Sequence, residues 1–308
     1  MALFKRSVRS MLANGWMRLW FRPRFKSGAN LNVQKFRDFI ANQLERGARV
    51  PKDLHIEADE LAGLEARWLS SAHSRKDKIL LYIHGGAFLF TMPRSYNALV
   101  GNLLQRLEMT AVLPEYRLAP EHPFPAAVED CCAVYEALLE KGYSSKDIVV
   151  MGDSAGGNLS LVLLQYLVKK QLPLPSCAVF LSPATQFSER TPSAVENRYK
   201  DPIFPKQATQ AVFANYLQGN LALTKDPRVS PMNGNFEGLP PLLFIAGSTE
   251  ILRDDSVLAA EKAQAAGVDA TCSVWYKMPH VFQLYDFLPE TKRSMDDIAS
   301  FVRKHVGL

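Results

Sequence analysis

From residue 78 onward, short continuous apolar runs alternate with stretches whose apolar residues recur at the helical spacing of three to four positions. The runs 79–83, 111–114, 148–151, 178–181, 242–246 and 271–276 read as strands. Most are apolar throughout, as strands must be when helices cover both faces of their sheet. Helical patterns fall near 96–107, 125–141, 155–169, 254–266 and 294–304. This alternation predicts an α/β fold: a mostly parallel, doubly wound sheet with helices on both faces. Residues 54–70 supply an early hairpin. Two regions break the rhythm. Residues 1–50 are helical and basic at their start, and about 184–230 is rich in Pro, Ser and polar residues, with one helical pattern near 206–217. Both read as additions over a pocket, since covers of this kind are typically insertions; padding remote from any site is the alternative. The expected organisation is an N-terminal helical cap segment, 1–50, and a main domain, 51–308, with a cap insertion at about 184–230.

Composition narrows the class. Apolar residues make up 47% and charged residues 22% of 308 positions, which excludes collagen, coiled-coil rods and low-complexity disorder. A chain this long buries a large core without disulfides or metal. The net charge of +5 is concentrated at one end: residues 1–27 hold seven of the 36 bases and no acid, leaving 29 bases against 31 acids elsewhere. So neutral a body argues against nucleic acid as a partner. Within the basic segment, Phe4, Val8, Met11, Leu12, Trp16, Leu19 and Trp20 recur at helical spacing, flanked by Lys5, Arg6, Arg9, Arg18 and Arg22. The stripe is expected to pack on the body, because otherwise it exposes two tryptophans. Contact of residues 1–27 with an anionic membrane surface is the open alternative, with Gly15 as a hinge. A homodimer also stays open.

Cys131, Cys132, Cys177 and Cys272 are few and form no Cys-x-x-Cys, so zinc ribbons and thioredoxin-type sites lack support. With no secretion signal and no run able to span a bilayer, a reducing cytoplasm is the simplest compartment. No His/Glu cluster has zinc-ligand spacing and no phosphate-binding glycine pattern occurs. No metal and no cofactor are expected.

The strongest chemical signal is Gly152-Asp153-Ser154-Ala155-Gly156, set between the apolar run at 148–151 and the helical stretch that follows. That context makes Gly-x-Ser-x-Gly a nucleophile elbow, in which the serine sits on a strained turn and its neighbours two positions away must be small. The helix beyond it turns free N–H groups toward the serine. A second signal, His84-Gly85-Gly86-Ala87-Phe88, follows the run at 79–83. The N–H groups of Gly85, Gly86 and Ala155 together form an expected oxyanion hole.

These stretches, with YRLAPEHPFPAA at 116–127, DPRVSP at 226–231 and MPH at 278–280, resemble the hormone-sensitive-lipase-like branch of the α/β-hydrolases, the bacterial family IV esterases. The resemblance runs from about residue 55 to the end. It implies the α/β-hydrolase fold, an eight-stranded sheet, and a cap made by N-terminal helices and an inserted segment. Two departures stand out. The family often has a third glycine where this chain has Ala87, which is given no part in the oxyanion hole. Its acid is often Asp, where this chain has Glu250.

A serine needs a base and an acid behind it, and in this fold they follow in the order Ser, acid, His. Only His280 and His305 come after Ser154. His305 lies in the basic C-terminal helical pattern, whereas His280 follows a strand at its C-terminal end, where open α/β sheets place their sites. His84 is read as a brace for the glycine loop. Glu250 is the first carboxylate after the strand at 242–246. Its extra methylene requires the loop to retract slightly. Asp254 is the alternative acid, although Asp254 and Asp255 also suit a helix start. Asp153 is expected to bond nearby loop groups, and Asp201 and Asp226 to form turns before proline. The expected activity is hydrolysis of small to medium acyl esters by Ser154, His280 and Glu250 through an acyl-enzyme. Amide hydrolysis on the same machinery and a non-catalytic receptor on the same fold are the alternatives.

Overall fold

The computed structural model describes residues 7–205 and 207–308. One sheet contains β1 His55–Leu61, β2 Leu64–Ser70, β3 Arg75–Ile83, β4 Met109–Pro114, β5 Ile148–Asp153, β6 Cys177–Leu181, β7 Leu242–Gly247 and β8 Ala270–Trp275. Its eight strands lie in the order β1-β2-β4-β3-β5-β6-β7-β8. β2 pairs antiparallel with β1 and with β4, and the remaining neighbours are parallel. The apolar runs became central strands because every residue of β4, β5, β6 and β7 is buried, so both faces need cover. The edge strand β1 instead exposes His55, Glu57, Asp59 and Glu60, charges that discourage pairing with another strand.

The helices are α1 Val8–Trp20, α2 Val33–Phe39, α3 Pro93–Leu104, α4 Ala126–Glu140, α5 Ser154–Lys170, α6 Pro192–Glu196, α7 Ala208–Asn215, α8 Arg253–Ala265 and α9 Pro289–Val306. α3 packs on β2 and β4, α5 on β3, β5 and β6, α8 on β7 and β8, and α9 on β5 and β6. α3 and α9 each begin ahead of the sequence pattern, at a proline in the first turn, where the missing N–H costs nothing.

The two regions outside the alternation meet each other. α7, in the inserted segment, packs on the 3-10 turns Arg22–Asn30 between α1 and α2. Gly28 permits this: its φ is +55°, and a Cβ there would lie 2.6 Å from Gln210 Oε1. The helical pattern expected near 206–217 begins at Lys206, which lies outside the described residues, as do Phe4, Lys5 and Arg6.

α1 packs on the body, but not by the expected stripe. Its buried residues are Ser10, Ala13, Asn14 and Met17. Val8, Met11, Leu12, Trp16, Leu19 and Trp20 are the side that stays accessible. On the inward face Asn14 Nδ2 donates to Lys277 O (3.0 Å), and Ser10 Oγ donates back to Ser7 O (2.9 Å), the residue before the helix. Ser7 in turn donates its N–H and hydroxyl to Glu290, tying the start of α1 to the start of α9. Among the described residues, no helix is long and apolar enough to cross a membrane.

Candidate active site

The turn from β5 into α5 holds Ser154 at φ +51°, a left-handed conformation that a non-glycine residue adopts only where its surroundings impose it. The crossing is tight: a Cβ on Gly156 would sit 2.0 Å from Ile83 O, so only glycine lets α5 approach β3. The structure brings Ser154 and His280 to one cavity of about 330 Å³, whose wall includes Phe21, Phe25, Phe36, Phe90 and Phe204. Aromatic and aliphatic lining with a few polar groups is what a small-molecule site requires.

His280 follows β8 and is buried, and Glu250, just beyond β7, is wholly buried. His280 Nδ1–H donates to Glu250 Oε2 at 2.8 Å, which orients the ring. The other carboxylate oxygen accepts from Ser182 Oγ at 2.8 Å and from the N–H of Gly247. Ser182 Oγ also accepts from Val281 N at 3.1 Å, so one hydroxyl links the acid to the residue after the histidine. Asn197 Nδ2 braces the Glu250 carbonyl at 2.8 Å. Burial alone would lower the His280 pKa. The hydrogen bond and charge of Glu250, helped by Asp201 and Asp153, outweigh that and hold it above the ordinary value.

Asp254 stands apart from the histidine. Its Oδ2 accepts from Ser193 N at 2.7 Å at the head of α6, and its Oδ1 pairs with Arg253. Asp255 accepts from the N–H groups of Thr185 (2.8 Å) and Gln186 (3.0 Å), and burial pushes its carboxyl up to about 7. Both acids therefore hold the inserted segment rather than capping their own helix. His305 lies on α9 against Phe301, with ring centroids 4.7 Å apart. His84 is buried between Tyr96 and Tyr116, with its Nδ1 2.6 Å from Gly85 O.

The glycine loop departs from expectation. Gly85 donates its N–H to Asp153 Oδ1 at 2.8 Å, so this donor is already committed within the protein. Tyr82 Oη donates to the same oxygen at 2.8 Å. Asp153 thus anchors the loop, as expected of a residue that bonds nearby groups. Its carboxyl is pushed up to about 6 by burial, against the pull of these bonds and of His280. The N–H groups of Gly86 and Ala87 donate to no acceptor among the described residues, and both residues line the cavity with Ser154. Ala155, second residue of α5, has an N–H free of intrahelical bonding. The expectation for the loop is corrected accordingly: the available donors are Gly86 and Ala87, not Gly85 and Gly86.

Two further residues matter here. Ser182, at φ +48° directly after β6, carries the signal of a hydroxyl at a strand's C-terminal end. Asp201 does form a turn, accepting from Ile203 N (2.8 Å) and Phe204 N (2.9 Å), but its Oδ2 also accepts from Ile251 N (2.9 Å), beside Glu250. Phe204 then packs edge-on against the His280 ring at 4.8 Å. Asp201 is wholly buried, which pushes its carboxyl up to about 6.

An eight-stranded sheet with a serine elbow, a buried acid–histidine pair and a facing glycine loop defines the α/β-hydrolase class. A family profile for the alpha/beta hydrolase fold matches residues 80–284. An esterase of Acinetobacter venetianus is 36% identical over 249 residues, covering 80% of this chain and 82% of that protein. An acetyl-hydrolase of Streptomyces hygroscopicus is 35% identical, covering 79% of this chain and 80% of that one. The crystal structure of an esterase from the bacterial hormone-sensitive lipase family superposes with a TM-score of 0.87 at 32% identity, covering 98% of this chain and 100% of that one. Crystals of EstE5 soaked with p-nitrophenyl butyrate give a TM-score of 0.89 at 32% identity, with the same coverage. The chain belongs to the α/β-hydrolase family, in its hormone-sensitive-lipase-like branch, and is a hydrolytic enzyme.

Proposed function

We propose that the chain is a carboxylic ester hydrolase acting on small to medium acyl esters. Ser154 Oγ attacks the acyl carbonyl while His280 takes its proton, and Glu250 holds the ring and stabilises the imidazolium. The N–H groups of Gly86, Ala87 and Ala155 receive the oxyanion. The alcohol leaves with the proton from His280, and water activated by the same ring releases the acyl group. The observation that carries this reading is His280, held by the buried Glu250, lining the same cavity as a serine at φ +51°.

The N-terminal segment and the inserted segment together form the cap, contributing Phe21, Phe25, Phe36, Ile203 and Phe204 to the cavity wall. A volume of about 330 Å³ lies at the small end of ligand pockets. Initial rates across p-nitrophenyl esters of increasing chain length test the substrate class. Acetate to hexanoate esters should be preferred, and a higher rate on emulsified long-chain triglyceride than on dissolved butyrate would overturn it.

The pH profile tests the base. Because the His280 pKa is raised from 6.5, the ring stays protonated and inactive to a higher pH. The acid limb of kcat/KM should therefore lie above 6.5. Asp201→Asn removes a charge that favours the imidazolium, so the limb should move to lower pH. A limb at the same pH in both proteins would show that Asp201 has no such influence.

A further inference from the structure

The outer face of α1 carries chemistry that ester hydrolysis does not use. Val8, Met11, Leu12 and Leu19 are 70%, 55%, 71% and 76% exposed, and Trp16 and Trp20 are 43% and 46% exposed. The two indoles stack with centroids 6.1 Å apart. Cations surround them, and their side-chain partners are carbonyl oxygens rather than carboxylates. Arg9 donates to Phe287 O, Arg18 to Tyr199 O, Arg22 to Arg198 O and Arg24 to Trp20 O. Those bonds hold the guanidinium groups on carbonyl oxygens, and the buried Asp201 carboxylate acts on Arg22 through its charge. Arg18 of α1 thus meets exposed Tyr199 and Lys200, and Arg22 just beyond the helix meets exposed Arg198, all in the inserted segment, while the Asn14 bond joins α1 to exposed Lys277. Asp286 is an acid on the same side of the molecule, at the rim of the catalytic cavity.

We propose that this face docks the protein on an anionic lipid bilayer, with α1 lying in the interface. A purely apolar face would fit any hydrophobic partner. An exposed apolar stripe with two tryptophans, ringed by bases whose hydrogen bonds go to carbonyl oxygens, matches the layered chemistry of a bilayer surface: acyl chains for the leucines, head-group depth for the indoles, lipid phosphate for the cations. Charge complementarity disfavours a second copy of this chain, whose own cations would face these. Position supports the same occupant. A groove bounded by Arg9, Leu12, Trp16, Tyr285 and Phe287 shares Trp16, Tyr285 and Phe287 with the catalytic cavity. Docking by α1 brings that rim against the layer in which esters of low water solubility dissolve. The proposal does not depend on the identity of the catalytic groups.

The test is co-sedimentation of the full chain with phosphatidylcholine vesicles, with and without phosphatidylglycerol. Partitioning should be at least tenfold stronger onto the anionic vesicles and should fall as salt is raised. The variant Val8→Ser/Met11→Ser/Leu19→Ser alters exposed side chains outside the catalytic cavity. It should bind anionic vesicles at least tenfold more weakly while hydrolysing a dissolved butyrate ester at the parent rate. Equal partitioning of the parent onto neutral and anionic vesicles would overturn the proposal, as would undiminished binding by the variant. A parent dimer that the triple variant converts to monomer, without vesicle binding by either, would assign the face to self-association instead. The parent's lipid selectivity stands as a test even if the variant fails to fold.

Discussion

Glu250→Gln is expected to lower kcat on p-nitrophenyl butyrate by about four orders of magnitude, the scale of loss when a triad carboxylate becomes its amide. The carboxylate accepts from His280, Ser182 and Gly247 at once. An amide can offer only one acceptor oxygen, so its nitrogen must face either the histidine or two donors. The imidazolium formed during attack also loses the neutralising charge of a wholly buried carboxylate. Asp254→Asn is the control. Its contacts are Ser193 and Arg253, not His280, so it should cost about 1–3 kcal/mol in stability and leave kcat near the parent value. Thermal melts and turnover of the two variants separate these effects. Loss of turnover in Asp254→Asn with retention in Glu250→Gln would transfer the acid role.

Gly86→Ala should reduce kcat by roughly 10²–10³ for each oxyanion donor it displaces. Gly86 has φ +115°, and a Cβ there would fall 1.8 Å from Phe90 O. That contact is with backbone, so the loop itself must move, and the N–H groups of Gly86 and Ala87 move with it. Ala87→Gly is the informative partner. Ala87 sits at φ +55°, so glycine fits the existing backbone and keeps the donor in place. It should retain activity. If Gly86→Ala turned over ester as fast as the parent, these donors would have no part in the rate.

How far the sequence could be read follows from what each feature depends on. The central strands were legible because burial on both faces leaves a continuous apolar run, as at 148–151 and 242–246. Ser154, Glu250 and His280 could be proposed because chain order and strand ends constrain them, and the Glu250–His280 bond brings two of them together. The partner of the Gly85 N–H was not legible. The direction of the Gly85 N–H depends on a carboxylate that lies 68 residues away in sequence. Periodicity also misjudged α1, because spacing reveals an apolar stripe but not the acceptor that Lys277 O offers to Asn14. Ser182 and Asp201 were missed as supports of the site for the same reason: each acts through a bond to a distant strand end. Local turn chemistry accounts for Asp201 before Pro202 and hides its bond to Ile251.

The central claim, that Ser154 is the nucleophile, is tested most directly by covalent titration. The protein is incubated with an arylsulfonyl fluoride, residual turnover of p-nitrophenyl butyrate is followed, and the modified peptide is located by mass spectrometry. One equivalent of label on Ser154, with activity lost in proportion to its incorporation and no label in Ser154→Ala, is the predicted result. Stoichiometric inactivation by label on any other residue, or full turnover by the Ser154→Ala protein, would contradict it.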